Sequence, residues 1–557
     1  MSATDLRTTS ASSWIHQHAA RLETLVLVAA GLGLLAMVAA LGVDVPNYDE
    51  WGLMRNVLAA REHGFWAIQP FAQVNDSRPA VFKLLVAATI TLFRGWHPLS
   101  HMYLNAAMIV ATLGVLVSAV RSMFAATTER LLLVIAIAVT VAGPIHHENL
   151  LWGIGFVSLL PVWLLASSLW LTERAGRWSW LAALLCATIA TCSYAHGFLL
   201  FAFALPWWRW PVRRERTLAL VTGVVALTCA VVFLISIDLR SHAATSQGLG
   251  GSPLAAIGPF LAAVSSSLIG GVAWPVLYKA GGIIGSLGST LLLGAFRGVG
   301  ALLLFLFGVA TVRLRKVAPE ELWPWLLFGA FGFATALAIG VGRSAEGPAQ
   351  AFSSRYASMT VGITVTTLVL CVRARIAPRL LLTLAILAGL GNTAASIVVA
   401  RSWNDVRRAG RDSLTFVDTC GALPATIAIW PTFDRAVAAQ AIGGGLVPLP
   451  WATGQPPQDA KPTSSISVAW REPNWQTPSF LKDSTRIVDV GGAMPDGVPV
   501  LIGLRRDEAF HCLGAGRGGD AILGGFVGVA PGPGTLEAWT FDRRGWTLFG
   551  AAPVNTP

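Results

Sequence analysis

Charged residues are scarce in this 557-residue chain, at 12% of the total. A soluble domain carries about twice that share, so the scarcity excludes an ordinary soluble globular protein. Cysteines number six, and no pair has metal-site spacing. Cys186, Cys192, Cys229 and Cys371 fall in apolar segments and read as small core residues, whereas Cys420 and Cys512 fall in a polar tail. There is no internal repeat and no low-complexity tract. Met1–Thr24 lacks a short apolar core followed by a small-residue cleavage site, so the first apolar run, Leu25–Val43, reads as a retained helix. The net charge of +11 does not indicate a nucleic-acid partner, because most of the arginine lies in short loops between apolar runs.

What the chain does have is apolar length. It is 54% hydrophobic, its mean hydropathy is +0.62, and runs long enough to cross a bilayer recur. The fold class is therefore a polytopic α-helical membrane protein. Arginine clusters orient it. Arg121/Arg130, Arg174/Arg177, Arg209/Arg213/Arg214/Arg216, Arg313/Arg315/Lys316 and Arg373/Arg375/Arg379 are all cytoplasmic if positive loops stay inside. The consistent solution has about 11 transmembrane helices, near 25–43, 101–120, 131–145, 150–171, 178–195, 198–210, 217–237, 297–312, 322–341, 357–372 and 380–400. The N-terminus, 1–24, is then cytoplasmic and the tail extracytoplasmic. Pro79–Leu92 is apolar but short and carries Lys83, so it reads as a surface helix; residues 44–100 become one outer loop with helices near 51–63 and 79–93. The Gly- and Ser-rich region 238–296 is a second outer region. Its apolar pieces near 259–274 and 283–296 read as surface or re-entrant helices, or as a further pair of spans.

After Ala400 the composition turns to Pro, Gly and Asp. Short β-like runs follow at Ser464–Trp470, Arg486–Val490, Val500–Leu504, Leu523–Val529 and Thr535–Phe541, with a turn at Asp542-Arg543-Arg544-Gly545. Residues 401–557 thus read as an extracytoplasmic β-rich domain. An oxidising compartment would pair Cys420 with Cys512.

In this topology the polar motifs fall at outer ends. Asp49-Glu50 follows the first span, and Asn75-Asp76-Ser77-Arg78-Pro79 precedes the second surface helix. His146-His147-Glu148-Asn149 and Ser193-Tyr194-Ala195-His196-Gly197 join later spans. Arg343 and Glu346, then Ser353-Ser354-Arg355-Tyr356, lie between the ninth and tenth. Carboxylates beside a bilayer are expensive to desolvate and invite a functional explanation. A carboxylate can take the proton from an acceptor hydroxyl, and arginines can hold a departing phosphate bidentately. Aromatics such as Tyr48, Trp51 and Trp152 can line a sugar pocket.

The ordered motif set resembles the GT-C superfamily of integral-membrane glycosyltransferases, which includes aminoarabinose transferases, protein O-mannosyltransferases and oligosaccharyltransferases. Asp49-Glu50 matches the acidic motif of their first outer loop and Glu148 a second acidic position. Ser77-Arg78-Pro79-Ala80-Val81-Phe82 looks like their Lys-Pro-Pro surface-helix start, with Arg78 in place of Lys. Asp49-Glu50-Trp51, Glu148-Asn149-Leu150-Leu151-Trp152 and Ser354-Arg355-Tyr356 look closer still to a group of bacterial GT-C-like membrane proteins. The resemblance covers residues 25–400 and implies transfer of a sugar from a polyprenyl-phosphate donor to a glycan, lipid or protein acceptor at the outer face of the plasma membrane. It implies catalytic roles for Asp49, Glu50 and Glu148. Substrate contacts fall to Arg78, Lys83, His147, Asn149, Tyr194, His196, Arg343, Arg355 and Tyr356.

Bland readings stand beside these. Asp49-Glu50 can cap the helix starting at Trp51. His146, His147 and Glu148 can ligate a divalent cation, as in some GT-C enzymes, or cap the fourth span. Arg343 and Arg355 can be interfacial side chains, and His196 a satisfied polar residue. The match of Gly514-Ala515-Gly516-Arg517-Gly518-Gly519 to a dinucleotide-binding loop has no helix after it and is set aside. A transporter of lipid-linked glycans, or a scaffold for the tail, remain alternative functions.

Overall fold

A computed structural model describes residues 3–72, 78–173, 177–205, 216–235, 256–283, 285–317, 319–342, 351–430, 433–471, 486–491, 498–506, 509–517, 522–524, 532–542 and 545–556. Eight helices among them are long and apolar enough to cross a membrane: His18–Leu41, Pro98–Met123, Thr128–Leu150, Gly153–Leu171, Ser289–Arg313, Glu321–Gly342, Ser354–Arg373 and Pro378–Leu414. Shorter apolar helices cover Ala80–Phe93, Trp178–Thr191, Leu220–Val231 and Ile257–Ala273.

The chain divides into two compact units. The first contains Met1–Ala40, Pro70–Lys83 and Ser100–Val399. The second contains Leu41–Gln69, Leu84–Leu99 and Ala400–Pro557. The segment 44–100, read from sequence as one outer loop of the membrane region, is thus shared between them.

In order, the helices are α1 Ala3–Leu41, α2 Asp49–His63, α3 Ala80–Phe93, α4 Pro98–Met123, α5 Thr128–Val141, α6 His147–Leu150, α7 Phe156–Glu173, α8 Arg177–Thr191, α9 Leu200–Phe203, α10 Arg216–Ile235, α11 Ile257–Ile283, α12 Gly285–Arg313, α13 Pro319–Gly342, α14 Ser354–Arg373 and α15 Pro378–Leu414. The central helix of the first unit is α14, buried continuously from Tyr356 to Val372. Its threonines do the polar work that water cannot do in an apolar interior. Thr360 bonds Ser266 of α11 at 3.0 Å, Thr364 bonds Ser267 at 2.8 Å, and Thr366 donates to Trp325 O of α13 at 2.9 Å. Small residues bring the backbones close. A side chain at Gly362 would meet Phe328 O at 2.5 Å, and one at Gly332 would meet Ile363 N at 3.0 Å.

The apolar piece near 259–274, read as a surface or re-entrant helix or as part of a pair of spans, lies in the 27-residue helix α11, whose Ala262–Ser267 are fully buried in this unit. One expectation changes: α15 continues to Leu414, past the expected end at 400, because Trp403–Ser413 is amphipathic and buries Asn404, Arg407 and Asp412.

The second unit is built on an eight-stranded sheet ordered β1-β8-β7-β4-β5-β6-β3-β2, antiparallel except for the β1–β8 pair. The strands are β1 Ser464–Ser465, β2 Ser467–Arg471, β3 Arg486–Gly491, β4 Pro499–Arg506, β5 Ala509–Arg517, β6 Ile522–Gly524, β7 Gly532–Asp542 and β8 Gly545–Thr556. Pairing of Asp542 with Gly545 closes β7 onto β8 at the expected turn. Gly514 and Gly516 lie within β5, so the glycine pattern there serves a strand. Trp539 is fully buried among Phe416, Leu423 and Leu501, whereas Trp475 lies outside the described residues. Cys420 and Cys512 are disulfide-bonded, with Cα atoms 5.7 Å apart, as expected.

Candidate active site

In the first unit, α5 stops at Val141. A single turn, Pro144–His146, then leads into the short helix α6. This places His147-Glu148-Asn149 against the start of α14, about 200 residues later in the chain. One Glu148 carboxylate oxygen, Oε2, accepts from Ser353 Oγ at 2.7 Å and from the Arg355 N–H at 2.9 Å. The Glu148 N–H donates to Ser354 Oγ at 2.9 Å. Asn149 Nδ2 donates to Arg355 O at 2.7 Å and to Ser358 Oγ at 2.5 Å. Glu148 therefore caps α14 from outside its own sequence: it satisfies an N–H that the first turn leaves without a helical partner, and it meets the positive end of the helix dipole. Glu148 was read as an acid of the chemistry or a metal ligand; what the geometry displays is a positioning contact that fixes the backbone of Arg355.

Asn105 supports this clasp from α4. Fully buried, it donates through Nδ2 to Asn149 O and Trp152 O, both at 2.8 Å. Sequence reasoning passed over it. The available signal was a lone amide inside the apolar helix Pro98–Met123, where a polar side chain needs a partner.

The two histidines face backbone. His146 Nε2 lies 2.9 Å from Thr140 O and His147 Nδ1 lies 3.2 Å from Pro144 O. Among the described residues no three His, Cys, Asp or Glu side chains are grouped to hold a metal ion.

Arg355 lies beside Tyr356, its guanidinium carbon 5.4 Å from the ring centroid. Tyr356 belongs to an apolar cluster with Phe352, Met359 and Ala263, against which Tyr194 packs. Tyr194 in turn meets His196 edge-on at 5.1 Å, and Phe331 lies 5.7 Å from the same imidazole. His196 is buried, and neither ring nitrogen has a hydrogen-bond partner. Burial pushes its imidazole down to about 3, so the ring is neutral at physiological pH.

Arg78 and Lys83 form a second cationic group. Arg78 donates to Phe71 O and Lys83 Nζ donates to Ala72 O at 2.8 Å, so both hold the chain just before 73–77. Lys83 is 1% exposed. Its burial, and then the neighbouring Arg78, push the ammonium down to about 8. Its charge is thus lost as pH rises through about 8, well below the ordinary lysine range. If Lys83 contacts a phosphate, that contact weakens between pH 7 and pH 9.5. Donor binding measured across that interval should fall in the wild type and stay level in Lys83→Met. An unchanged wild-type affinity at pH 9.5 would remove Lys83 from the contact set.

Asp49 and Glu50 belong to the second unit, at the N-terminus of α2. Glu50 is fully buried, and its Oε2 accepts from the Asn47 N–H at 2.8 Å. Its carboxylate closes the turn leading into α2. Tyr48, at φ 46°, makes that turn and donates its N–H to Ile429 O at 2.7 Å. Trp51 stacks on Trp430 with centroids 4.0 Å apart, both buried. Asp49 differs from Glu50 in being half-buried at the first position of the helix. Asp44, which carried no expected role, accepts from the Leu99 N–H at 3.0 Å and lies 3.1 Å from His97 Nδ1.

No family model matches the chain, and neither a curated protein nor a solved structure matches it. The functional reading therefore stands on the residues themselves. The structure joins Glu148, Asn149, Arg355 and Tyr356 in one clasp, and the apolar cluster around Tyr356 extends it to Tyr194 and His196. Arg78 and Lys83 lie near each other, each bonded to a backbone carbonyl just before 73–77. Asn75-Asp76-Ser77, Arg343 and Glu346 lie outside the described residues.

Proposed function

We propose that this protein is a GT-C-like glycosyltransferase that moves a sugar from a polyprenyl-phosphate donor to a cell-envelope acceptor at the outer face of a bacterial plasma membrane. One observation carries the reading: motifs 207 residues apart, Glu148-Asn149 and Ser353–Tyr356, singled out as parts of one site, are hydrogen-bonded to each other. A scaffold needs no arginine fixed at such a point. Asp49 is the base that takes the acceptor proton. Arg355, with Arg78 and Lys83, holds the phosphate, and Glu148 holds Arg355. The finer topology belongs to the same proposal: eleven spans, a cytoplasmic N-terminus and an extracytoplasmic tail. The Cys420–Cys512 bond supports the last point, since structural disulfides persist in oxidising compartments.

The phosphate assignment is tested at Arg355. Its loss in Arg355→Ala removes a charge-assisted contact of about 1.5–3 kcal/mol, so donor affinity falls roughly tenfold to a hundredfold. Arg355→Lys recovers only part, because an ammonium does not reproduce the bidentate fork. Titration of a polyprenyl-phosphate sugar into wild type and the two variants reads this directly. Equal affinities across the three would end the assignment.

A further inference from the structure

An arginine inside a membrane-length apolar helix is costly without a counter-charge. Arg297 is such a residue, within the segment Ser289–Arg313 of α12. It stands about two turns from Ser289, roughly 12 Å along the axis, near enough for its side chain to reach the headgroup level. Leu291, Leu302 and Phe305 of the same helix are exposed, as lipid-facing side chains are.

Two features distinguish Arg297 from an ordinary snorkelling side chain. The first is a fixed seat. Its guanidinium lies against Gly258 of α11, where an added methyl would stand 2.6 Å from Nη2 and 2.7 Å from Cζ. A side chain there would displace the guanidinium from this position. Close by in α11, Phe260 packs on Phe333 of α13 at 5.2 Å. The second feature is the lack of a counter-charge. Arg297 Nε is shielded from solvent and has no hydrogen-bond partner. Other arginines of this unit have acids: Arg121 and Arg130 share Glu23, Arg379 holds Glu129 and Arg373 holds Glu321. Glu148 is engaged by Ser353 and the Arg355 backbone. No described acidic side chain of this unit remains for Arg297. Gly258 is also the second residue of α11, so the positive end of that helix adds to the same local field.

We propose that Arg297, seated on Gly258 at the start of α11, binds a phosphate group carried on a membrane lipid. A guanidinium suits this partner because it pairs bidentately with phosphate oxygens and stays charged when desolvated. A lipid supplies both the anion at headgroup level and an acyl chain for the exposed apolar side chains of α12, whereas a free phosphate gains only the charge contact. The site does not depend on glycosyl transfer.

The test uses the full-length protein in nanodiscs of phosphatidylcholine containing a minor fraction of phosphatidylglycerol. Native mass spectrometry counts the phosphatidylglycerol retained on release. Wild type is expected to retain it against the excess zwitterionic lipid. Arg297→Gln should retain it about tenfold to a hundredfold less well, and Arg297→Lys should fall between. Gly258→Val keeps the charge but fills the seat, and should also lose the lipid. Millimolar inorganic phosphate should not displace it. Retention by Arg297→Gln equal to that of the wild type would overturn the site, and displacement by inorganic phosphate would overturn the lipid as its occupant. Binding of a polyprenyl-phosphate sugar, followed in the same preparations, should be unchanged in Arg297→Gln. Failure of the lipid site and failure of the transferase reading are therefore seen separately.

Discussion

On the proposed function, replacing Asp49 by Asn is expected to abolish sugar transfer while the protein still folds and inserts. Asn keeps the shape of the side chain and loses its basicity, and a positioned base contributes about a hundredfold to ten-thousandfold in rate. The turn into α2 is closed by the neighbouring Glu50, which is fully buried, accepts from the Asn47 N–H and is untouched by this change. Glu50→Gln separates the two roles: it keeps an acceptor for Asn47 and should lower activity far less than Asp49→Asn. Turnover of a labelled donor, with gel filtration of each variant, distinguishes them. Full turnover in Asp49→Asn would remove it as the base.

The second large effect is at Glu148. Glu148→Ala leaves Ser353 Oγ and the Arg355 N–H without their common acceptor at the start of the most buried helix of the first unit. Bonds to a charged acceptor contribute about 1.5–3 kcal/mol each, and an unsatisfied buried donor costs a further 1–3 kcal/mol, roughly. The variant should lose several degrees or more of melting temperature and most donor binding, because Arg355 moves with the helix end. Glu148→Gln keeps one acceptor oxygen and should restore most of both. A catalytic acid or metal ligand would behave otherwise: Gln would preserve stability and eliminate turnover. Melting temperature and turnover, measured together on the two variants, decide between the roles.

Much of the helical framework was legible because long apolar runs have one physical outcome. The expected helices near 51–63 and 79–93 correspond to Asp49–His63 and Ala80–Phe93. The parts that were not legible share a cause. Glu148 caps a helix that begins more than 200 residues away, and no local window reveals a cap supplied by a distant segment. For 259–274 the sequence left open a surface helix or a span, because the same serines suit a polar surface and a close helix crossing in apolar surroundings. Strand β5, Ala509–Arg517, was missed because its glycines lower strand propensity, and Pro553 helped to hide β8. The acids illustrate the same point from the other side. Asp49 and Glu50 are adjacent and chemically alike, yet one is half-buried at a helix start and the other is locked into the turn before it.

The central claim is transfer from a polyprenyl-phosphate sugar, and release of the phosphate lipid measures it most directly. Purified protein reconstituted in vesicles is given a panel of polyprenyl-phosphate sugars labelled in the sugar, with envelope glycan, lipid and protein acceptors. The account predicts that at least one donor yields free polyprenyl phosphate and labelled acceptor, and that Asp49→Asn and Arg355→Ala each suppress both. Movement of intact lipid-linked sugar across the bilayer, with no phosphate lipid released from any donor, would contradict it and make the protein a transporter.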